Sequence, residues 1–218
     1  MEEIFPGVWK EGDRLLTRNL TPGKKVYGEF LIKKGKEEYR VWDHTRSKPA
    51  AGIKKGLKSF PLGKSQKILY LGLASCTTAS HFSDIVGEEG VIYGVEISER
   101  SIRDSIVVAE SRANIVPILA NAKLPEEYGW IEPVDVVFQD VATDDQSEIL
   151  IRNCKKFLKK EGFAIISIKS RSINVVKDPD QVYKEELEKL EQHFQVIEKK
   201  KLDPYEKDHM LVVLKWKN

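Results

Sequence analysis

The segment formed by residues 68–81 constrains the fold of this chain more than any other segment. A short apolar run ends in Gly72, small and hydroxyl residues follow it, and an amphipathic pattern then begins. This order predicts a strand, a tight turn and the N-terminus of a helix, a geometry in which free backbone N–H groups face a ligand. A second apolar run, residues 91–95, ends at Glu96, at the distance past the turn where an acidic residue typically binds ribose hydroxyls. Together the two features predict a cofactor with an adenosine-like ribose.

From residue 66 onwards, short apolar runs alternate with amphipathic stretches of helical period. This alternation predicts an α/β fold with a mostly parallel sheet that is buried on both faces. The last two strands are joined by residues 202–206 alone, so we expect them to end the sheet as an antiparallel hairpin. A sheet of this kind is more typical of methyltransferases than of dinucleotide dehydrogenases. The predicted strands are residues 67–71, 91–95, 115–119, 134–139, 162–168, 194–200 and 209–216, and the predicted helices are residues 77–86, 98–112, 145–159 and 179–193.

The first 45 residues are predicted to form a small β domain that precedes this sheet. Residues 26–32 alternate partly between apolar and polar side chains, and residues 38–42 are expected to pair with them across a Lys- and Gly-rich turn. We therefore predict two domains, a β domain of residues 1–45 and an α/β domain of residues 46–218.

A helix is predicted to begin where the two domains meet. Ser47 is expected to be its N-cap and Pro49 to lie in its first turn. Leu57 and Phe60 are placed on its apolar side, and residues 61–63 are expected to end it.

Composition and cysteine usage give a first indication of the class of protein. The chain has 218 residues, of which 41% are hydrophobic, and no apolar run approaches the length of a membrane span. Its first residues lack the basic and apolar regions of a secretory signal. Cys76 and Cys154 supply no disulfide framework or zinc site, and we expect both to be reduced. These features favour a soluble cytoplasmic protein.

The charge is unevenly distributed, although the formal net charge is only +2. Residues 1–60 contain 14 Lys or Arg against 8 Asp or Glu, whereas the rest of the chain contains 22 against 26. Such an excess of positive charge at one end indicates either a surface for a polyanion or a lysine-rich solvated surface.

Polar side chains close several of the predicted strands. Asn121 follows the third strand, Asp140 follows the fourth and Lys169 follows the fifth. Because ligands bind at the carboxyl ends of parallel strands, we expect these groups to line one site. Asp140 and Lys169 are predicted to form an ion pair there, with Lys169 able to act as a base if its surroundings lower its pKa.

The histidines and the remaining motifs add little chemistry. We expect structural roles for His44, His81 and His193, whereas His209 precedes the last strand and is placed near the same edge of the sheet. No group of His, Cys, Asp or Glu has metal-ligand spacing, and neither a Ser-His-Asp arrangement nor a phosphate-binding Gly-x-x-x-x-Gly-Lys loop is present. We therefore predict no metal site.

Eight short runs occur in a specific order and spacing along nearly the whole chain. They are YRVWD (39–43), RSKPAA (46–51), LYLGLASCTT (69–78), HFSDIVG (81–87), NIVPI (114–118), FQDVA (138–142), IKSRS (168–172) and PYEKDH (204–209). Through these runs the sequence resembles archaeal fibrillarin, the methyltransferase of box C/D ribonucleoproteins.

The resemblance implies a class I methyltransferase sheet of seven strands with a small N-terminal β domain, S-adenosylmethionine as cofactor and 2′-O-methylation of ribose in rRNA or tRNA. It also implies a box C/D guide RNA, a Nop-type scaffold protein and a kink-turn-binding ribosomal-type protein as partners. No glycine/arginine-rich tail is present, as expected of the archaeal form.

Site residues follow from the resemblance by position. The catalytic set of ribose methyltransferases is matched by Lys48, Asp140, Lys169 and His209. The cofactor's amino acid part is expected near Gly72, Ala74, Thr77 and Thr78, its ribose at Glu96 with Ile97 beside it, its adenine near Asn121 and Ala122, and its sulfonium near Asp140, with Gln146 also in the binding set.

The sequence departs from the fibrillarin pattern at four positions. Leu73 and Cys76 stand where the pattern has an alanine and a glycine, Asn121 replaces an acid, and Thr143 replaces a glutamine. A glycine allows the backbone to approach a ligand closely. Two outcomes stay open at Cys76: the small side chain is tolerated, or cofactor binding is weaker.

Three alternatives to an RNA-guided ribose methyltransferase remain open from the sequence. The first is a structural subunit of the ribonucleoprotein with little or no catalysis, and the second is a methyltransferase that acts on a protein glutamine. The third is an NAD-linked oxidoreductase. The absence of the second glycine of the Gly-x-Gly-x-x-Gly motif counts against this alternative.

Overall fold

Two β-sheets make up the framework of the chain, in a computed structural model that describes residues 1–217. The N-terminal sheet is antiparallel throughout, with the strand order β1-β2-β3-β5-β4. It agrees with the predicted β character of the first 45 residues, while the division into domains at that point stays a prediction and Asn218 lies outside the described residues. The five strands are β1 (Glu2–Phe5), β2 (Val8–Glu11), β3 (Arg14–Arg18), β4 (Leu31–Lys34) and β5 (Glu37–Val41).

The second sheet has seven strands in the order β11-β12-β10-β9-β6-β7-β8. The five strands β6 to β10 are parallel, whereas β12 runs antiparallel to both β10 and β11. The predicted fold class is confirmed, including the C-terminal hairpin. The strands are β6 (Lys67–Leu71), β7 (Val91–Glu96), β8 (Ile115–Leu119), β9 (Val134–Gln139), β10 (Leu158–Lys169), β11 (Phe194–Lys201) and β12 (His209–Trp216).

Helices cover both faces of the seven-stranded sheet. The first three helices share one apolar core with the N-terminal sheet, and α4 and α6 share the core on the opposite face. Val136 and Val137, neighbours in β9, are both wholly buried and point to opposite cores, as expected of a sheet covered on both sides. The helices are α1 (Lys48–Lys54), α2 (Thr77–Val86), α3 (Glu99–Ala109), α4 (Gln146–Phe157), α5 (Ser170–Ile173) and α6 (Pro179–Glu191), with a 3₁₀ turn at Pro125–Tyr128.

The strand order reverses between β6 and β9, and this reversal fixes where a ligand can bind. The chain runs outward from β6 through β7 to β8, then returns to place β9 on the other side of β6. The loops after β6 and β9 therefore diverge to opposite faces and leave a crevice at the carboxyl ends of the strands. The Asp140 N–H donates to the Leu71 carbonyl (2.9 Å), so the two strand ends are joined where the crevice begins.

The predicted strand at residues 26–32 is wrong over residues 26–30. The N–H groups of Val26 and Tyr27 donate to the carboxylate of Glu29 at 2.8–3.1 Å, which closes a local loop instead of a strand ladder. Glu29 is in turn buried against Arg40 (2.6 Å), and pairing with β5 begins only at Leu31. The alternation of apolar and polar side chains predicts a strand here, but the ion pair of Glu29 with Arg40 decides the conformation of this segment.

Four helices end earlier than predicted, and two of them, predicted to reach residues 112 and 193, end at Ala109 and Glu191. The helix that starts after Ser47 ends at Lys54 rather than at residue 61, because the chain reverses at Gly56 (φ +81°). Leu57 and Phe60 are buried all the same, as loop residues in the core. The helix predicted to reach residue 159 ends at Phe157, since β10 begins at Leu158, opposite Val134 of β9.

A buried polar cluster attaches the N-terminal sheet to α2. The carboxylate of Asp84 lies between the guanidinium groups of Arg40 (2.8 Å) and Arg112 (2.6 Å), and all three side chains are completely buried. Thr17 of β3 also donates to Asp84 (2.7 Å) and contacts the His81 ring. This cluster fixes the small sheet against α2, the helix at which the candidate site begins.

Among residues 1–217, no helix is both long and apolar enough to cross a membrane.

Candidate functional site

The turn between β6 and α2 has the strained backbone of a ligand-binding loop. Gly72, Ala74 and Cys76 all have positive φ angles, of +85°, +49° and +63°. A side chain at Gly72 would place its Cβ 3.0 Å from the Asp140 carbonyl oxygen, so the turn and the loop after β9 approach each other as closely as glycine allows. The helix α2 begins directly after this turn, at Thr77, and its first N–H groups are free to bind an anionic group.

Glu96, at the end of β7, is held by the same turn. Its carboxylate accepts hydrogen bonds from the N–H of Ala74 (2.8 Å) and of Ser98 (2.8 Å). Each carboxylate oxygen has a second lone pair, so the group retains the capacity to accept from a diol. Ile97 follows it with 67% of its surface exposed, an apolar group beside a polar one at the edge of the crevice.

Asn121 lies one strand further along the same edge, just past β8. Its side-chain oxygen accepts from the N–H of Lys123 (3.0 Å), which fixes the orientation of the carboxamide. Ala122 is buried in the core, and its carbonyl accepts from the Asn153 side chain (2.9 Å). The predicted contacts of both residues with an adenine stay predictions.

Asp140 is the centre of a group of three charged side chains. Its carboxylate lies 3.1 Å from the Lys48 ammonium and 2.9 Å from the Lys169 ammonium, and Lys169 also donates to the Asp140 carbonyl (2.8 Å). The predicted ion pair of Asp140 with Lys169 is present. Each of the three side chains retains 15–17% of its exposure, so they face the crevice and a ligand can reach them. Their catalytic role stays a prediction.

Lys48 reaches Asp140 because α1 begins at a doubly anchored serine. Ser47 is the N-cap residue, as predicted, but its hydroxyl makes no capping hydrogen bond. It accepts instead from Trp42 Nε1 (2.9 Å) and from the hydroxyl of Thr78 (2.9 Å). The sequence does not predict the contacts that hold Ser47, and the bond from Thr78 joins segments 31 residues apart in the chain. The Thr78 hydroxyl is engaged by Ser47 in this way.

His209 lies directly opposite Lys169, at the start of the antiparallel strand β12. Its Nδ1 is 2.7 Å from the Lys207 carbonyl, and the ring is partly exposed. The carbonyl of the preceding residue, Asp208, accepts from both the N–H (3.1 Å) and the hydroxyl (3.0 Å) of Ser170. The start of β12 is therefore fixed to the end of β10. The catalytic role of His209 stays a prediction.

Gln146, a member of the predicted cofactor-binding set, is completely buried. Its carboxamide forms hydrogen bonds to the backbone of Lys169 and to the Thr143 carbonyl. The predicted contact with a cofactor stays untested, but these bonds give the side chain another use.

Two departures from the fibrillarin pattern point into the core rather than into the crevice. Leu73 is 2% exposed and packs on Gly94, where an added Cβ would come within 2.5 Å of Leu73 Cδ2. The missing side chain of Gly94 thus makes room for the larger residue. Cys76 is wholly buried, and burial raises the pKa of its thiol to about 11, so it is an unreactive core residue. Neither side chain obstructs the crevice.

The charged groups of this edge suit the control of a proton. A carboxylate between two ammonium groups, next to a turn with free N–H groups, fits a reaction in which an acceptor must lose a proton. Within residues 1–217, no cluster of three or more His, Cys, Asp or Glu side chains has the arrangement of a metal site.

Comparison with known proteins gives a consistent result over the whole chain. The family model described as Fibrillarin matches residues 1–218. A fibrillarin-like rRNA/tRNA 2′-O-methyltransferase of Pyrococcus furiosus is 51% identical over 217 residues, which cover 97% of this chain and 96% of that protein.

Two solved structures are similar in sequence and in fold. The crystal structure of Aeropyrum pernix fibrillarin with natively bound S-adenosyl-L-methionine superposes with a TM-score of 0.87 at 43% identity, and covers 95% of this chain and 92% of that chain. The fibrillarin of a fibrillarin/Nop5p complex superposes with a TM-score of 0.91 at 38% identity, over 99% of this chain and 100% of that one.

Proposed function

This chain belongs to the fibrillarin family, and we propose that it methylates the ribose 2′-hydroxyl of rRNA and tRNA with S-adenosylmethionine. The observation that carries the proposal is the group formed by Asp140, Lys48 and Lys169 at the carboxyl edge of the sheet, next to the positive-φ turn after β6. The name of the Pyrococcus furiosus relative and the cofactor bound to the Aeropyrum pernix fibrillarin support it.

The residues of the crevice fit S-adenosylmethionine. Gly72 leaves space beside the Asp140 carbonyl that a Cβ would fill, and Glu96 offers carboxylate oxygens to ribose hydroxyls. Asn121 and Ala122 would lie by the adenine, Ile97 would lie beside the ribose, and the N-terminus of α2 would face the carboxylate of the methionine part. The cofactor supplies a methyl group made electrophilic by a sulfonium centre, and the negative charge of Asp140 favours that cation.

Catalysis is expected to rest on positioning and on the control of one proton. The 2′-oxygen gains the methyl carbon as the carbon–sulfur bond breaks, and the hydroxyl proton must leave the oxygen. Lys169 is proposed either to accept this proton as the neutral amine, after release of its own proton to solvent, or to steer it as the ammonium, with Asp140 fixing the position of its Nζ. Lys48 is proposed to hold the ribose or its phosphate, and His209 lies opposite Lys169 as the fourth member of the set.

The proposed setting is a box C/D ribonucleoprotein, in which a guide RNA selects the target by base pairing. The fibrillarin/Nop5p complex supports a Nop-type scaffold protein as a partner of this chain. A kink-turn-binding ribosomal-type protein is proposed to join through the scaffold and the RNA, and the cytoplasm is the proposed location. The excess of positive charge in residues 1–60 suits an RNA-bound subunit.

The test is methyl transfer to a guide-matched RNA by the wild-type chain and by two variants, with and without the scaffold partners. Lys169→Ala and Asp140→Ala are each expected to lower kcat by about 100- to 10,000-fold, the usual range for the loss of a proton-transfer group. Calorimetric titration with S-adenosylmethionine keeps cofactor binding separate from catalysis. Full activity in either variant would contradict these roles.

The titration and the transfer assay together separate the proposal from a structural subunit and from a glutamine methyltransferase. A structural subunit without catalysis would show no cofactor binding in the wild-type chain. A glutamine methyltransferase would bind the cofactor and transfer the methyl group to a glutamine peptide but not to the guide-matched RNA. The burial of Leu73 and Cys76 away from the crevice favours a functional cofactor site.

A further inference from the structure

Gln146 completes the β-ladder of Lys169 after its neighbouring strand has ended. The parallel pairing of β9 with β10 stops at Gln139 and Ile166, three residues before Lys169. At Lys169, the N–H donates to Gln146 Oε1 (2.9 Å), and the carbonyl accepts from Gln146 Nε2 (3.3 Å). The carboxamide thus offers the same acceptor and donor as the peptide group of a neighbouring strand.

These bonds also decide how Lys169 faces its neighbours. Both backbone groups of Lys169 are used on the side of Gln146, so its pair with His209 on β12 has no backbone bonds between the two residues. In such pairs the side chains of the two residues lie close together. The orientation of the Gln146 carboxamide is fixed, because the Lys169 N–H requires an acceptor and the Thr143 carbonyl (2.8 Å) requires a donor.

The main chain of Gln146 is also held by a hydrogen bond. Its main-chain carbonyl accepts from Gln139 Nε2 (2.7 Å), and its side chain is wholly buried at the first residue of α4. Four segments therefore meet at one residue: the end of β9, the loop at Thr143, the start of α4 and the end of β10. None of these bonds involves the charged side chains of Lys48, Asp140 or Lys169.

We propose that Gln146 is a positioning residue, which holds the backbone of Lys169 so that its ammonium group reaches Asp140, and that it does not bind the cofactor. This inference rests on the proposed function for the identity of the reaction. It predicts that loss of the carboxamide slows methyl transfer and leaves cofactor affinity unchanged.

The decisive variant is Gln146→Met, which keeps the length of the side chain and removes both of its hydrogen-bonding groups. In the ribonucleoprotein assembled with a guide-matched RNA, kcat is expected to fall about 10- to 100-fold, since a displacement near 1 Å has a cost of that order. The dissociation constant for S-adenosylmethionine is expected to stay within about 2-fold of wild type. Unchanged kcat, or a weakened cofactor affinity with normal kcat at saturation, overturns the proposal.

Gln139→Met is the matched control. It removes an equally buried carboxamide from the same cluster, but one that bonds to Gln146 and not to Lys169. Its kcat is expected to lie closer to wild type than that of Gln146→Met. An equal loss in the two variants would mean that general loosening of α4 explains the effect, and that outcome overturns the proposal.

Gln146→Glu tests the proposal through the pH dependence of kcat, which a purely structural role of the side chain would not change. A protonated carboxyl keeps the acceptor and one of the two donors of the carboxamide, whereas its ionised form can donate to neither the Lys169 nor the Thr143 carbonyl. Burial raises the pKa of an introduced carboxyl, so the neutral form extends to higher pH. The ratio of variant to wild-type kcat is therefore expected to fall as pH rises, and a ratio independent of pH counts against the proposal.

A crystal structure of Gln146→Met separates failure of this inference from failure of the proposed function. The Lys169 ammonium is expected beyond 4 Å from the Asp140 carboxylate, against 2.9 Å in the wild-type chain. If the wild-type particle does not methylate RNA, the proposed function fails and this distance still decides the positioning role. If the particle is active and the distance is unchanged, the positioning role alone fails.

Discussion

Two aspartates in this molecule each lie between two cationic side chains, and the two groups differ in nearly every other respect. Asp84 lies between Arg40 and Arg112 at 2.8 and 2.6 Å, with all three side chains fully buried. Asp140 lies between Lys48 and Lys169 at 3.1 and 2.9 Å, with each side chain about one-sixth exposed. The first joins the two sheets, and the second faces the crevice.

The choice of cation explains the difference in use. A guanidinium group stays charged when buried and offers five fixed donors, so it can satisfy a closed cluster. Arg40 also bonds to Glu29 and Ser80, and Arg112 also bonds to Asn19. Burial lowers the pKa of Arg112, and the neighbouring Asp84 opposes that shift. A lysine ammonium is a compact charge that can release a proton, which suits the open group.

Removal of Asp84 is expected to give the largest effect on stability. Asp84→Ala leaves two guanidinium groups buried without their shared anion, and breaking a buried ion pair in this way costs about 3–5 kcal/mol of unfolding free energy. Denaturant unfolding monitored by tryptophan fluorescence measures the change. Asp140→Ala, in the same experiment, is expected to lose much less, because both lysines of its group can turn to solvent.

Asp13→Ala is the control for the loss of an aspartate as such. Asp13 forms an exposed ion pair with Lys54, and such pairs add little to stability, so the variant is expected to unfold like wild type. If Asp84→Ala is no less stable than Asp13→Ala, the buried cluster is not what joins the sheets. The contrast between the two aspartates would then be one of position alone.

Exchange of the cation in the open group is expected to give the next largest effect. Lys169→Arg keeps the charge opposite Asp140 but replaces a group that can release its proton by one that cannot, and kcat is expected to fall about 100-fold. Steady-state methyl transfer measures the loss, and the denaturant midpoint is expected to stay close to wild type.

Lys177→Arg makes the same exchange at an exposed pair with Glu185 and is expected to leave kcat unchanged. Wild-type activity in Lys169→Arg would show that the group needs only a positive charge. In that case the lysine steers the proton electrostatically and does not accept it.

The two groups also differ in how far the sequence predicts them. Periodicity predicts β6 to β12 and the residues at their ends, because burial on both faces leaves a continuous apolar pattern. Asp140 directly follows such a strand and Lys169 ends another, so the contact between them could be predicted. Asp84 and Arg40 have no such signal, since the one lies inside an amphipathic helix and the other inside a short strand.

Contacts between distant segments account for what the sequence did not predict. The loop at residues 26–30 follows from the burial of Glu29 against Arg40, and the space for Leu73 follows from Gly94, which is on a neighbouring strand. Gln146 was assigned to the cofactor on resemblance, and its bonds to Lys169 depend on where β9 ends. In each case the local pattern is compatible with more than one partner.

The smallest predicted effect concerns protons at the buried group. His81 lies beside it, with Nδ1 2.7 Å from the Thr17 hydroxyl and Nε2 2.7 Å from the Tyr27 hydroxyl. Because Thr17 donates to Asp84, it accepts from Nδ1, and the neutral ring then accepts from Tyr27. Burial, together with the charges of Arg40 and Arg112, holds the pKa of His81 well below its usual 6.5.

The sign of the pH dependence follows from that shift. Below pH 6.5 the unfolded chain takes up a proton at His81 that the folded chain does not, so stability falls as the pH falls. Between pH 7.5 and 5.5 this contributes a loss on the order of 1 kcal/mol. Denaturant unfolding at several pH values is expected to show a shallower slope in His81→Gln than in wild type. Equal slopes in wild type and His81→Gln would mean that the ring becomes protonated inside the cluster. The buried cluster at Asp84 would then accommodate a third positive charge. In that case, keeping a neighbouring histidine neutral would not be a difference between this cluster and the group at Asp140.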